Sequence, residues 1–125
     1  MITLKNAANA DVTYQQLSAE GFRTTYIGAN HSDMSKDQVI LNSASPKRSG
    51  VTFGNRRASI NLVTSVTVPT PGGETEVKDM KFELVTSVPV GVSASDVDEA
   101  MARISAAVAN ATLVEGVAVI GKTQY

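Results

Sequence analysis

Residues 57–68, RASINLVTSVTV, alternate with a period of two. Ala58, Ile60, Leu62, Val66 and Val68 fall on one side of an extended chain, and Arg57, Ser59, Asn61, Ser65 and Thr67 fall on the other. Val63 and Thr64 are the only departures. Successive side chains of a strand point to opposite faces, so the pattern describes a strand with one apolar face and one wet face. Parallel sheets are covered on both faces and read as continuous apolar runs; a one-sided strand belongs to an antiparallel sheet.

The same reading extends along the chain. Residues 76–88 place Met80, Phe82 and Leu84 on one side and Asp79, Lys81, Glu83 and Ser87 on the other. The linker between the two runs, residues 69–73, is short enough to make them a hairpin. Upstream, β-like runs cover residues 2–5, 12–17, 22–27 and 38–45. The junctions (residues 6–9, Glu20-Gly21, residues 28–35, Ser45-Pro46 with Ser49-Gly50) supply the Gly, Pro, Asn and Ser that turns require. Parallel neighbours need long crossovers, so six strands joined by short loops predict an antiparallel meander over residues 1–88.

Past Pro89 the period changes. Val97, Ala100, Met101, Ile104, Ala107, Val108 and Ala111 recur at helical spacing, with Asp98, Glu99, Arg103 and Asn110 off that stripe. Ser93 or Ser95 can cap this helix, and Asp96, Asp98 and Glu99 suit the positive end of its dipole. Thr112 and Glu115 have the spacing of a capping box, which predicts a second helical segment from Thr112 to Ile120 that Gly121 ends. The chain is therefore expected to be a single α+β domain over residues 1–125, with a sheet region at 1–88 and a helical region at 93–121.

Composition narrows the function. The 125 residues are 42% hydrophobic and 18% charged, with 11 Lys+Arg against 12 Asp+Glu, no cysteine, no tryptophan and one histidine. Disulfides, thiolate metal sites and a cysteine nucleophile are excluded, and His31 alone cannot build a multi-histidine site. His31 reads as a solvated loop residue near Asp33 and Asp37, and no nucleophile or acid–base pair stands out, so no enzyme and no cofactor are expected. No run approaches the roughly 20 apolar residues of a membrane span, so the expectation is an intracellular protein without membrane contact. One amphipathic helix and a short stub are too little to cover six strands. The economical completion is a second copy that extends the sheet and exchanges helices, because a domain of this size buries only about two-thirds of its surface alone.

In element order and in several local strings the chain resembles the coat proteins of single-stranded RNA bacteriophages, the levivirus group. The strings are Asn55-Arg56-Arg57 leading into the long alternating strand, the Gly72-Gly73 hairpin loop, Glu20-Gly21-Phe22 followed by Thr25-Tyr26, and Tyr125 just after the second helix. The resemblance implies an RNA-phage coat protein fold completed as an intertwined homodimer, with the helices of each subunit packed over its partner. It implies a capsid protein whose dimers assemble into an icosahedral shell around single-stranded genomic RNA in the cytoplasm of a bacterial host, to be found in the virion. It also implies that the inner sheet face touches RNA, including a hairpin whose binding represses translation. Small-molecule substrates and metals have no place in this reading. The alternative is a small dimeric RNA-binding regulatory module that forms no shell.

Particular residues carry these expectations. Arg57, Ser59 and Asn61 lie where family members place polar and basic residues that touch RNA, with Lys81 and Glu83 at matching places on the next strand. Better-known members commonly have a lysine where Asn61 stands and an aromatic where Asp79 stands. Lys47, Arg48, Arg56 and Arg57 make residues 36–57 rich in cations, which suits phosphate because a guanidinium donates two parallel hydrogen bonds. Aromatic platforms for bases are scarce: Tyr14, Tyr26, Phe53 and Phe82 fall in strand-like runs and read as core, Phe82 most clearly. Val97, Met101, Ile104 and Val108 are expected at the dimer interface. Thr70, Pro71, Gly72, Gly73 and Glu74 are expected to form the loop that lines the shell's symmetry axes.

Overall fold

The alternation of residues 57–68 propagates into the longest strand of a six-stranded sheet. The structure, a computed structural model, describes residues 1–121; Tyr125 lies outside them. Six strands run in chain order as an antiparallel meander: β1 (Ile2–Lys5), β2 (Asp11–Glu20), β3 (Arg23–Gly28), β4 (Asp37–Ala44), β5 (Asn55–Pro69) and β6 (Thr75–Pro89). Each strand pairs with its sequence neighbours, as short loops demand. The ends lie within a few residues of the expected ones. β2 differs most, continuing to Glu20 through a bulge at Leu17 that shifts its register on β3.

β5 and β6 pair without interruption from Asn55↔Pro89 to Pro69↔Thr75, whereas β4 reaches β5 only as far as Asp37↔Thr64. The Ser65 N–H still donates to the Lys36 carbonyl at 2.8 Å, and beyond it the hairpin is a two-stranded ribbon. Its turn spans Thr70 to Glu74: the Thr70 N–H donates to the Glu74 carbonyl at 2.8 Å and the Gly73 N–H to the Thr70 carbonyl at 3.0 Å. Gly73 has φ +84°, a left-handed conformation that glycine adopts without steric cost.

Ladder partners share a face, so the register assigns every strand residue to one side. One side carries the apolar row Tyr26–Val39–Leu62–Phe82 from β3 to β6. Val39 is 3% exposed, but Phe82, at the outer strand, is 45% exposed, so the expectation of a core Phe82 fails within the described chain. Beside this row, Tyr14 donates its hydroxyl to Asp37 Oδ1 at 2.9 Å across β3. Gly28 makes this bridge possible, because a Cβ there would run into the Asp37 carboxylate. Burial and the donated hydrogen bond, in that order, raise the Tyr14 phenol above its ordinary value.

Among the described residues, those from Gly91 to Gly121 belong to a second compact unit. Helix α1 (Ala94–Ala109) is capped by Ser93, whose hydroxyl accepts from the Asp96 N–H at 3.2 Å. Glu99 and Arg103, one turn apart, pair at 2.9 Å. The expected capping box at Thr112 is replaced by Asn110: its side chain accepts from the Leu113 N–H at 3.1 Å, so helix α2 (Ala111–Glu115) begins one residue earlier and Thr112 lies inside it. Asn110 wins because the chain turns there out of α1 with extended backbone, which is the geometry of an N-cap. A turn of π-helix, Gly116–Ile120, follows and ends as expected at Gly121, with φ +77°. Among the described residues no single helix is long and apolar enough to cross a membrane.

Candidate nucleic-acid interface

The face opposite Val39 is polar. The register collects Arg57, Ser59, Asn61 and Ser65 of β5 with Ser87, Glu83, Lys81 and Asp79 of β6 on this side. From β4 and β3 it adds Gln38, Asn42 and Arg23. Five of the eight residues expected to meet RNA, namely Arg57, Ser59, Asn61, Lys81 and Glu83, thus share one surface. Arg56, one residue from Arg57, is on the other face, because adjacent residues of a regular strand point apart. Lys47 and Arg48 belong to the loop between β4 and β5.

The polar face is not uniformly wet. Asn61 is 6% exposed and Val63 9%, the two being flanked in the ladder by Ile40 and Glu83 and by Gln38 and Lys81. Val63, a departure from the sequence pattern, therefore fills the centre of this side without any break in the strand. The Asn61 carboxamide oxygen is buried without a hydrogen-bond partner. Lys81 and Glu83 pair with each other at 3.5 Å. Asp79 accepts from the Ser65 hydroxyl at 2.9 Å and meets the Lys36 ammonium at 3.3 Å, while the Lys36 N–H donates to the same Ser65 hydroxyl at 2.7 Å. The Ser65 hydrogen bond first and the Lys36 interactions after it hold the Asp79 carboxyl below its ordinary value.

At one end of this face the β4–β5 loop closes over a cavity of about 500 Å³ lined by Ala44, Ser45, Lys47, Thr52, Gly54, Asn55 and Arg57. Among the described residues, the ionic side chains that line it are the cations Lys47 and Arg57. Asn55 donates to the Ser87 hydroxyl at 3.2 Å, tying the loop's exit to β6. Such a seat suits a phosphate, which a lysine point charge and a forked guanidinium can approach together.

No family model and no curated protein sequence matches the chain. Solved structures do match in fold. The virus-like particle of Wenzhou levi-like virus 4 superposes with a TM-score of 0.78 at 21% identity, over 98% of this chain and 83% of that one. The virus-like particle of Beihai levi-like virus 32 gives 0.76 at 16% identity, over 90% and 88%. The coat protein of bacteriophage EMS014 gives 0.64 at 19% identity, over 99% and 79%. The chain has the levi-like coat-protein fold.

Within that fold several sequence expectations change place. Phe53 is not a strand residue but lies in the β4–β5 loop, 59% exposed, with the Arg48 guanidinium 5.1 Å from its ring centre. Gly50 and Gly54 bracket the short segment that holds it. His31 is half-buried and accepts at Nδ1 from the Asp37 N–H at 3.2 Å, so it ties its loop to β4 instead of being merely solvated. Arg23, Asn42 and Gln38 are polar-face residues that the sequence pattern did not single out; registering the turn at Glu20-Gly21 would have placed Arg23 there. The described residues contain no cluster of three metal-ligating side chains. The stripe of α1 is uncovered, with Met101 45%, Ile104 38% and Val108 64% exposed and Val97 half-buried.

Proposed function

We propose that this protein is a capsid subunit that forms homodimers, assembles into a closed icosahedral shell and packages single-stranded RNA against the polar face of its sheet. The observation that carries this reading is the apolar row that ends uncovered at β6. Burial falls from 3% exposure at Val39 to 45% at Phe82, with Met80 at 41% and Ile60 at 50% on the same face. A second apolar stripe, on α1, is uncovered in the same chain. Two copies supply each other with what each lacks: the α1 stripe of Val97, Met101, Ile104 and Val108 covers the partner's sheet. The likeness of fold to virus-like particles, over nearly all of the chain, supports a shell as the end state of such dimers.

RNA then meets the opposite face. Arg57 and Lys47 offer phosphate contacts at its rim, and Ser59, Asn61, Lys81 and Glu83 offer hydrogen-bonding groups at its centre. Phosphate attraction needs charge and no base reader, whereas recognition of a particular hairpin requires accessible polar groups that reach base edges. On this reading the glycine turn of the β5–β6 ribbon, Thr70 to Glu74, meets neighbouring dimers in the shell. The test is expression followed by size exclusion and electron microscopy. Closed particles with nucleic-acid absorbance are expected; a dimer that stays soluble at every concentration would favour the RNA-binding regulatory module instead.

A further inference from the structure

The loop between β3 and β4 is closed by the chain's one histidine. It leaves β3 at Gly28, whose carbonyl accepts from the His31 N–H at 3.2 Å, and returns at Asp37, whose N–H donates to His31 Nδ1 at 3.2 Å. The imidazole is thus the acceptor for the first residue of β4. At the tip, the Ser32 N–H donates to the Ser35 carbonyl at 2.8 Å and the Ser35 N–H to the Ser32 hydroxyl at 3.0 Å. The exit is tied to β5 by two bonds, from the Ser65 N–H to the Lys36 carbonyl and from the Lys36 N–H to the Ser65 hydroxyl. Elsewhere the chain closes turns with side-chain oxygens: Asn6 Oδ1 accepts from the Ala8 and Ala10 N–H groups, Thr52 Oγ1 from the Gly54 N–H, and Asn110 Oδ1 from the Leu113 N–H. Amide and hydroxyl oxygens take up no proton near neutrality, whereas an imidazole changes charge between about pH 5 and 8.

We propose that protonation of His31 unfastens the β3–β4 loop and, through Lys36, the base of the β5–β6 ribbon, so that the chain carries an acid-sensitive latch. A neutral imidazole has one donor and one acceptor nitrogen, and accepting at Nδ1 places its proton on Nε2. An imidazolium donates from both nitrogens. The Asp37 N–H then points at another N–H, and a half-buried backbone donor is left without its acceptor. The latch is therefore closed in the neutral form and is lost as pH falls through the titration of the ring.

The groups around the ring favour the release. On β4 stands the Asp37 carboxylate, whose Oδ1 accepts from the Tyr14 hydroxyl of β2. Asp33 and Lys36 belong to the loop itself, and Lys36 is held at 3.3 Å by Asp79 of β6. β3 contributes Gly28 and β5 contributes Ser65, neither of which carries charge. An imidazolium gains by turning from the Asp37 N–H toward a carboxylate, Asp33 or Asp37, so the ring has one arrangement for each protonation state. Lys36 is the residue before Asp37. With the His31 bond gone, the chain that holds Ser65 is anchored from one side only, and Ser65 is where β5 leaves β4 and continues as the ribbon. One consequence rests on the capsid reading: the ribbon carries the turn that meets neighbouring dimers, so the same protonation loosens contacts between them.

Hydrogen exchange read by mass spectrometry on the full chain, in whatever assembly it forms, tests the latch once intrinsic exchange rates are divided out. Protection over residues 31–38 and 63–67 is expected to fall roughly five- to tenfold, the equivalent of one hydrogen bond, between about pH 8 and pH 5. Protection over α1, residues 94–109, should stay constant. His31→Asn is expected to hold both segments at their high-pH protection, because asparagine carries Oδ1 where histidine has Nδ1 and does not titrate. His31→Ala should give the low protection at every pH, and Asp33→Asn should still fall as the wild type does. Flat protection in the wild type overturns the proposal, as does an equal fall over α1, which means global unfolding. A fall in His31→Asn or His31→Ala as steep as the wild type's assigns the effect to the carboxylates and overturns it too. Loss over 31–38 with none over 63–67 overturns the link to the ribbon. Wild-type particles are expected to release dimers in acid sooner than His31→Asn particles; equal release, with the exchange result intact, overturns the consequence for the shell alone.

Discussion

The two faces of this sheet are built from the same strands with opposite logic. On one face, Val39 at 3% and Tyr14 at 7% exposure lie in the interior of the sheet, and exposure climbs along the row from Val39 to Phe82 at 45%. On the other, Asn61 and Val63 are as buried as Tyr14, yet their ladder neighbours are Glu83 and Lys81. On the first face exposure rises toward β6 along the row Val39–Leu62–Phe82, while Ile60 of β5 is itself 50% exposed. Depth on the second is set by what long polar side chains stand next to each residue. Polarity read from sequence therefore marks the face of most β5 residues, with Arg56 and Val63 as exceptions, and says little about how deep a residue lies.

One substitution made at both ends of the apolar row breaks the comparison most sharply. Val39→Asp places a carboxylate where almost no solvent reaches, and should cost about 4 kcal/mol or more, enough to unfold a domain of this size. Phe82→Asp in the same row, at an edge already open to water, should cost the isolated chain under about 1 kcal/mol while abolishing particle assembly. Urea denaturation of the two variants, with size exclusion of the second, checks both halves. Equal losses of stability would show that Phe82 belongs to a core within one chain.

A smaller effect is expected at Tyr14. Tyr14→Phe keeps the ring over Gly28 and removes the hydroxyl that donates to Asp37 Oδ1, leaving a half-buried carboxylate short of a partner. The expected cost is about 1–2 kcal/mol, read from the shift in the denaturation midpoint. The sign with pH also follows. The folded phenol titrates above its ordinary value of 10.0, so its contribution is complete below that pH and is lost as pH rises through the folded value. Alkaline destabilisation that is the same in Tyr14→Phe as in the wild type would refute this.

On the polar face, Arg57→Ala should leave stability within about 0.5 kcal/mol and reduce RNA binding uniformly across sequences. The slope of log affinity against log salt should flatten by about one unit for each phosphate that Arg57 neutralises in the wild type. Arg56→Ala, on the opposite face, should leave that slope unchanged. Equal effects from the two arginines would erase the distinction between the faces as far as RNA is concerned.

The meander, the helical tail and the alternation of β5 were legible because each rests on local chemistry: period two, turn residues, a serine cap. What was not legible depends on register. Arg23 and Asn42 join the polar face only once β3 and β4 are aligned, and Arg56 leaves it for the same reason. Phe53, expected in a strand-like run, lies in the β4–β5 loop between Gly50 and Gly54. Asn110 displaced Thr112 as a cap because the break in α1 decides where the next helix begins, and no spacing rule reports a break.

The gentlest test of the comparison lies at the tip of the polar face, where β4 leaves the sheet and the ribbon begins. Lys36, Ser65 and Asp79 are linked there through one hydroxyl, which donates to the carboxylate and accepts from the Lys36 N–H. Asp79 is held below its ordinary 3.8 chiefly by the Ser65 hydrogen bond and next by Lys36. A lowered folded value means that the carboxylate form is favoured by folding. Its contribution is present above about pH 3.8, the unfolded value, and is lost as pH falls from there through the folded value. The group is fully exposed, so the effect is small and shrinks further with salt. Asp79→Asn should therefore leave the denaturation midpoint at pH 7 slightly lower and make the acid limb shallower. Ser65→Ala should do the same through the larger of the two causes. If Ser65→Ala leaves the acid limb as steep as in the wild type while Lys36→Ala flattens it, the carboxylate is held by the Lys36 ammonium and the hydroxyl bridge has no part in it.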